Sequence, residues 1–162
     1  LIEADKKHSS RIRMISKDYH IGVLDKSISS KKFYIYDSYN GTGSSLFKEK
    51  SDYDFTIKKM KTSTLDKIIY KKFNKKKYDL IKLDTQGSEL NILKGGIKTL
   101  KKTKYLITEI HFKNYNIGSA SHKELNSFLE NNGFKKVDIL FNHYMKNKLF
   151  FSDVLYKNMR EV

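Results

Sequence analysis

Apolar and polar positions run along this chain in two rhythms, a period of two and a helical period of about 3.6, and the two take turns. Leu1-Ile2-Glu3-Ala4 reads as the end of a strand, and His8 to Ile15 as a short, weakly patterned helix. Tyr19 to Leu24 reads as a second strand. Phe33 to Tyr36 and Phe55 to Met60 read as β-rich arms around a polar Gly/Ser loop, Asn40 to Ser45, which is too hydrophilic for a core. Ser63 with Asp66 three residues on forms a capping signature, and Leu65, Ile68, Ile69 and Phe73 then share one helical face.

The second half repeats the alternation. Tyr78 to Asp84 reads as a strand, and Ser88 to Lys98 as a helix carrying Leu90, Leu93 and Ile97, which Gly95-Gly96 should end or bend. Lys104 to Ile110 is another apolar strand. Ser121 with Glu124 caps a helix bearing Leu125, Phe128 and Leu129 that stops at Asn131-Asn132-Gly133. Val137, Ile139 and Phe141 alternate as a strand, and Phe150 to Tyr156 should pair with it across a polar turn. Strands in turn with helices, closed by a hairpin, predict an α/β sheet, mostly parallel, with helices on both faces. No internal repeat or linker divides the chain, so one domain over residues 1–162 is expected.

Composition narrows the picture. With 162 residues, 38% of them hydrophobic and 13% aromatic, the chain can bury a core. It shows no run of eighteen apolar residues and no cleavable leader, which predicts a soluble, cytoplasmic protein. The absence of cysteine removes thiolate chemistry, and His8, His20, His111, His122 and His143 lack metal-ligand spacing, so no metal is indicated. The formal charge of +15 invites a nucleic-acid reading. Its carriers are mostly lysines scattered in short runs such as Lys58-Lys59, Lys75-Lys76-Lys77 and Lys135-Lys136, which favours solvated faces over a nucleic-acid stripe.

In open α/β sheets, ligands lie beyond the carboxyl ends of the strands. Glu3, Asp25, Asp84 and Glu109 with His111 stand at four such ends, a pattern that packing alone does not require. Lys82 and Asp84 are two apart on one strand, as are Glu109 and His111 on its neighbour, so each pair projects to one side. The carboxylate of Glu3 can accept two hydrogen bonds at once, Leu24 and Asp25 close the second strand, and the turn Thr85-Gln86-Gly87 allows close backbone approach. Glu89 reads as a first-turn acid facing the helix dipole.

The stretch Leu80-Ile81-Lys82-Leu83-Asp84-Thr85-Gln86-Gly87-Ser88-Glu89-Leu90-Asn91-Ile92-Leu93-Lys94-Gly95-Gly96 resembles the signature of the FkbM methyltransferase family: a strand ending I-K-x-D, then G-x-E and a helix L-x-x-L-K-G. Leu1 to Ala4, Gly22 to Ser27, Gly43 to Leu46, Thr64 to Asp66, Thr108 to His111 and Asp153 to Lys157 resemble further family segments in the same order. The resemblance implies a Rossmann-like class I methyltransferase sheet of order 3-2-1-4-5-7-6, with S-adenosyl-L-methionine along the strand ends, touching Glu3, Leu24, Asp25, Asp84 and Gln86. The family's first strand and its glycine-rich turn have no counterpart after Leu1, so the chain is expected to be the C-terminal two-thirds of its domain, and inactive by itself.

The function so implied is O-methylation of a hydroxyl on a sugar, glycan or small metabolite, with Asp84, Glu109, His111 and Lys82 as the catalytic group. Transfer to an alcohol needs orientation and a base; Asp84 is the leading candidate, and His111 could take the proton itself. Two alternatives stay open. An RNA 2′-O-methyltransferase would use the lysines but commonly needs a second strand-borne lysine near Glu109, and a lysine-rich binding module would have lost catalysis. Acceptor pockets in this fold are lined by loops, here Tyr39 to Asp54 and Lys113 to Ala120.

Overall fold

The computed structural model describes residues 1–36, 43–73, 77–113 and 115–160. Tyr39 to Thr42 of the polar loop, Lys75-Lys76 of the lysine run and Asn114 lie outside the described residues. The architecture is mixed α/β, with more of the described residues in strands than in helices. β1 (Ile2–Glu3) pairs in parallel with β2 (His20–Ile21), and between them lie a 3-10 turn (Lys6–His8) and α1 (Ser9–Ile15). The expected strand from Tyr19 to Leu24 breaks at Gly22, where a Cβ would meet His20 Nε2 at 2.8 Å, and resumes as β3 (Val23–Leu24) in another sheet.

β4 (Ser30–Tyr36) and β6 (Phe55–Ser63) are the two predicted arms, antiparallel, with β3 on the other side of β6. Between them β5 (Lys48–Glu49) pairs with β9 (Asn116–Ile117), a contact with no period-two pattern to announce it. α2 (Leu65–Ile68) is capped by Thr64, whose hydroxyl accepts from Lys67 N at 3.2 Å. This corrects the expected Ser63 cap, because Ser63 is still in β6. Asp66 turns instead to Lys98 N (3.0 Å), Thr99 N (2.8 Å) and the Thr99 hydroxyl (2.7 Å), capping a different helix, α4 (Ile97–Leu100).

β7 (Tyr78–Leu83), β8 (Thr103–His111), β10 (Phe134–Met145) and β11 (Lys148–Asn158) form the largest sheet, in the order β10-β11-β8-β7. Only β7–β8 is parallel within it. The single, mostly parallel sheet expected from the alternation is therefore not what the described strands make: they form four sheets, with three parallel and four antiparallel pairings. The closing hairpin turns through Lys146 and Asn147 at φ 49° and 57°, the left-handed pair that a two-residue hairpin needs.

The predicted helix from Ser88 to Lys98 is two, α3 (Glu89–Lys94) and α4, broken at Gly95-Gly96. A Cβ on Gly95 would stand 2.5 Å from the Asp25 carbonyl and one on Gly96 2.8 Å from Leu65, so both glycines let neighbouring chain segments close in. α5 (His122–Asn131) carries the complete Ser121/Glu124 capping box and ends at Gly133 with φ 86°. The main core joins Leu90, Leu93, Leu106, Leu125, Leu129, Phe134 and Val154, with Ile2 and Leu24 packed onto it. Among the described residues, no helix is long and apolar enough to cross a membrane.

Candidate functional site

The register of β7, β8 and β11 builds the site. Leu83 lies opposite Thr108 in the parallel pair, so Asp84, just past the end of β7, comes level with Glu109 near the end of β8. Across the other edge of β8, Glu109 faces Asp153 and His111 faces Phe151. A cavity of about 350 Å³ opens there, lined by Asp84, Gln86, Glu109 and His111 and walled by Tyr115, Phe150 and Phe151. Lys82 stands beside it, 3.7 Å from Asp84 Oδ2 and 4.0 Å from Asp153 Oδ2.

The turn after β7 is held from below. Gln86 and Gly87 have φ of 51° and 92°, and a Cβ on Gly87 would meet Ser119 Cβ at 2.8 Å, so glycine is required there by both conformation and space. The buried Ser45 hydroxyl donates to Gln86 O at 2.7 Å. Gln86 Nε2 donates to Asp84 Oδ1 at 3.3 Å. Glu89 is buried, and its Oε1 accepts from Thr85 N (2.9 Å) and the Thr85 hydroxyl (3.0 Å). It is thus a clasp on the turn as much as a partner of the helix dipole.

Two kinds of carboxylate result. Asp84 is half exposed, so a ligand in the cavity can reach it. Glu109 is buried and in ion-pair contact with His111 Nε2, and His111 Nδ1 is buried with no hydrogen-bond partner. Burial pulls the His111 pKa down, but the Glu109 contact and the charges of Glu109, Glu89 and Asp84 outweigh it and leave the imidazole above its ordinary value. Burial raises the Glu89 carboxyl above the usual range, against the bonds from its backbone neighbours and the His111 charge.

Asp84, Gln86, Glu109, His111 and Lys82, all expected at the site, converge on this cavity. Glu3, Leu24 and Asp25 stand apart from it. The Glu3 carboxylate accepts from Asp5 N at 2.8 Å, and Leu24 packs into the core. Asp25 is fully buried, its Oδ2 2.6 Å from Lys31 Nζ and its Oδ1 without a hydrogen-bond partner. Asp153 is a site residue that sequence reasoning passed over, and Tyr115 one that it reached only as part of the loop Lys113 to Ala120. Asp153 is brought in by the β8–β11 register, and Tyr115 by the β5–β9 pairing, where Lys50 N donates to Tyr115 O at 2.9 Å and the Tyr115 hydroxyl bonds the buried Glu49. No group of three His, Asp or Glu suited to a metal occurs among the described residues.

A mixed α/β chain that gathers a lysine, carboxylates and a histidine where parallel strands end has the makings of an enzyme with a strand-end ligand site. The family model described as Methyltransferase FkbM domain matches residues 9–136, and the chain belongs to the FkbM methyltransferase family. No curated protein and no solved structure matches it.

Proposed function

We propose that this protein is an S-adenosyl-L-methionine-dependent O-methyltransferase whose acceptor is a hydroxyl of a sugar, glycan or small metabolite. The observation that carries this reading is the cavity at the ends of β7 and β8, where an exposed carboxylate, Asp84, stands over a buried Glu109–His111 pair. We read β7-β8-β11-β10 and β1-β2 as parts of one class I methyltransferase sheet; the order of the first four strands supports that assignment. Glu3, a partly exposed carboxylate at a strand end, would hold the ribose of the cofactor. Asp25 is sealed against Lys31 and Leu24 lies in the core, so neither is offered to the adenine, against the cofactor contact expected of both.

When bound, the cofactor supplies the methyl group as an electrophile on a sulfonium. The chain's own work is to orient the acceptor and take its proton. Asp84, the accessible carboxylate, accepts the hydroxyl proton at the open end of the cavity. Lys82 stands 3.7 Å from that carboxylate, and Glu109 fixes the His111 imidazole beside it. Phe150 and Phe151 present apolar faces that narrow the hydroxyl's approach.

The test is methyl transfer by the full-length protein to a panel of sugars and glycans. Asp84→Asn is expected to lower turnover about a hundredfold to ten-thousandfold with cofactor affinity nearly unchanged. Glu3→Gln is expected to raise the cofactor dissociation constant with less effect on turnover at saturation. A His111→Ala loss larger than that of Asp84→Asn would move the base to His111.

A further inference from the structure

Next to the strand-end cavity lies a larger one of about 630 Å³, and the two share Tyr115 and Phe150 as a common wall. Its remaining lining is chemically one-sided: Lys50, Lys113 and Lys123 with His122, and beside them Phe112 and Ser121. None of the three lysines is in an ion pair among the described residues, and all three are exposed. Two of the neighbouring carboxylates, Glu49 beside Lys50 and Glu124 beside Lys123, are already engaged. Glu49 is buried against the Tyr115 hydroxyl, and the Glu124 carboxylate accepts from Ser121 N and the Ser121 hydroxyl, both at 2.8 Å. Phe112 and His122 hold their rings 5.5 Å apart, tilted by 44°, in the same lining.

We propose that this outer cavity binds an anionic group of the acceptor, a phosphate or carboxylate carried on a sugar ring, and that the ring lies against Phe112 and Phe150 with its hydroxyl directed past Tyr115 toward Asp84. Unpaired lysines converging on one cavity form a site that gains by charge-assisted bonds to an anion and offers nothing specific to a neutral sugar. The rings of Phe112 and Phe150 in the lining supply the contact area that a small anion alone lacks. The assignment rests on the acceptor reading above, because it gives that acceptor its charge and its direction of entry. It also separates these three lysines from the solvated runs elsewhere on the chain.

The experiment is a binding titration without cofactor, followed by amide chemical shifts, using glucose 6-phosphate, glucuronate and neutral glucose as probes. Shifts concentrated at Lys50, Phe112, Lys113 and Lys123 with the two anions, and absent with glucose, are the expected result. The stronger of the two anions tells phosphate from carboxylate as the preferred group. Lys50→Gln with Lys123→Gln should weaken that binding about tenfold or more, on the order of 1.4 kcal/mol. Lys135→Gln with Lys136→Gln removes the same charge from exposed positions of β10 and should change it less than about twofold. Equal weakening by both pairs, equal binding of glucose, or shifts scattered over the surface would overturn the proposal. Because the readout is binding, absence of methyl transfer would count against the enzymatic reading and leave this one standing.

Discussion

At the scale of single residues, burial decides what each acid does. Glu89 and Asp84 are five positions apart; one is sealed against Thr85 and the other half open to the cavity. Glu89→Gln keeps an acceptor for Thr85 but removes a charge that raises the His111 pKa, so the His111 titration followed by NMR should move to lower pH. An unchanged titration would show that the two groups are not electrostatically linked. Glu89→Ala leaves Thr85 N and its hydroxyl without their acceptor and should cost about 1–3 kcal/mol in denaturant unfolding. His111 itself gives a pH signature. Its folded pKa is raised above 6.5, so its contribution to stability is complete below 6.5 and fades as pH climbs through the folded value. Wild-type minus His111→Gln stability should therefore shrink as pH rises above 6.5, the opposite of what a depressed histidine would give.

The strand-end residues were legible because period two and strand ends are local properties: Lys82 with Asp84 and Glu109 with His111 can be placed on one side from spacing alone. Asp153 and Tyr115 were not, since each reaches the site through a partner strand whose register is fixed by long-range pairing. The Asp25–Lys31 pair escaped notice for the same reason: whether a strand-end aspartate is open or sealed depends on β4 folding over it.

At the scale of elements, caps and glycines set boundaries that apolar spacing could not. The hydrophobic face from Leu90 to Ile97 reads as one helix, yet the close passage of Asp25 and Leu65 needs two residues without side chains. Gly95→Ala must push against the Asp25 carbonyl, which is backbone and cannot swing away. A loss of about 1–3 kcal/mol by thermal or urea unfolding is expected. Asp66→Ala should lower stability to a similar degree by removing three bonds to α4, and Asp66→Asn should recover part of it. The Val137, Ile139 and Phe141 alternation identified a strand but not its surroundings. β10 is the outer strand of its sheet with register breaks at Lys136/Asp138 and Ile139/Phe141, and all three apolar side chains are exposed; β11, one strand in, buries Val154 and Tyr156 instead.

Across the whole molecule, charge and topology pull in separate directions. The +15 charge predicts some attraction to any polyanion. Spread over separate runs, it should give RNA binding that is weak at physiological salt, indifferent to sequence and steeply lost as salt rises; filter binding across a salt series checks this. Tight, structure-selective RNA binding at that salt would favour a nucleic-acid acceptor instead. The mixed α/β class was readable from alternation of element types, but the largely antiparallel pairing and the division of the described strands into four sheets were not, because they turn on which edges meet.

Tyr115 and Phe150 belong to both cavities at once. One is fixed through its hydroxyl to Glu49 and the other rides on β11, so the wall between the two cavities is made of two rings with separate anchors. If an acceptor enters past these rings as we propose, a change that widens the wall for a bulkier guest also shifts the hydroxyl set against Asp84. Acceptor range should therefore drift through Lys50, Lys113 and Lys123, on the far rim, while the two rings hold selectivity and turnover to a common fate.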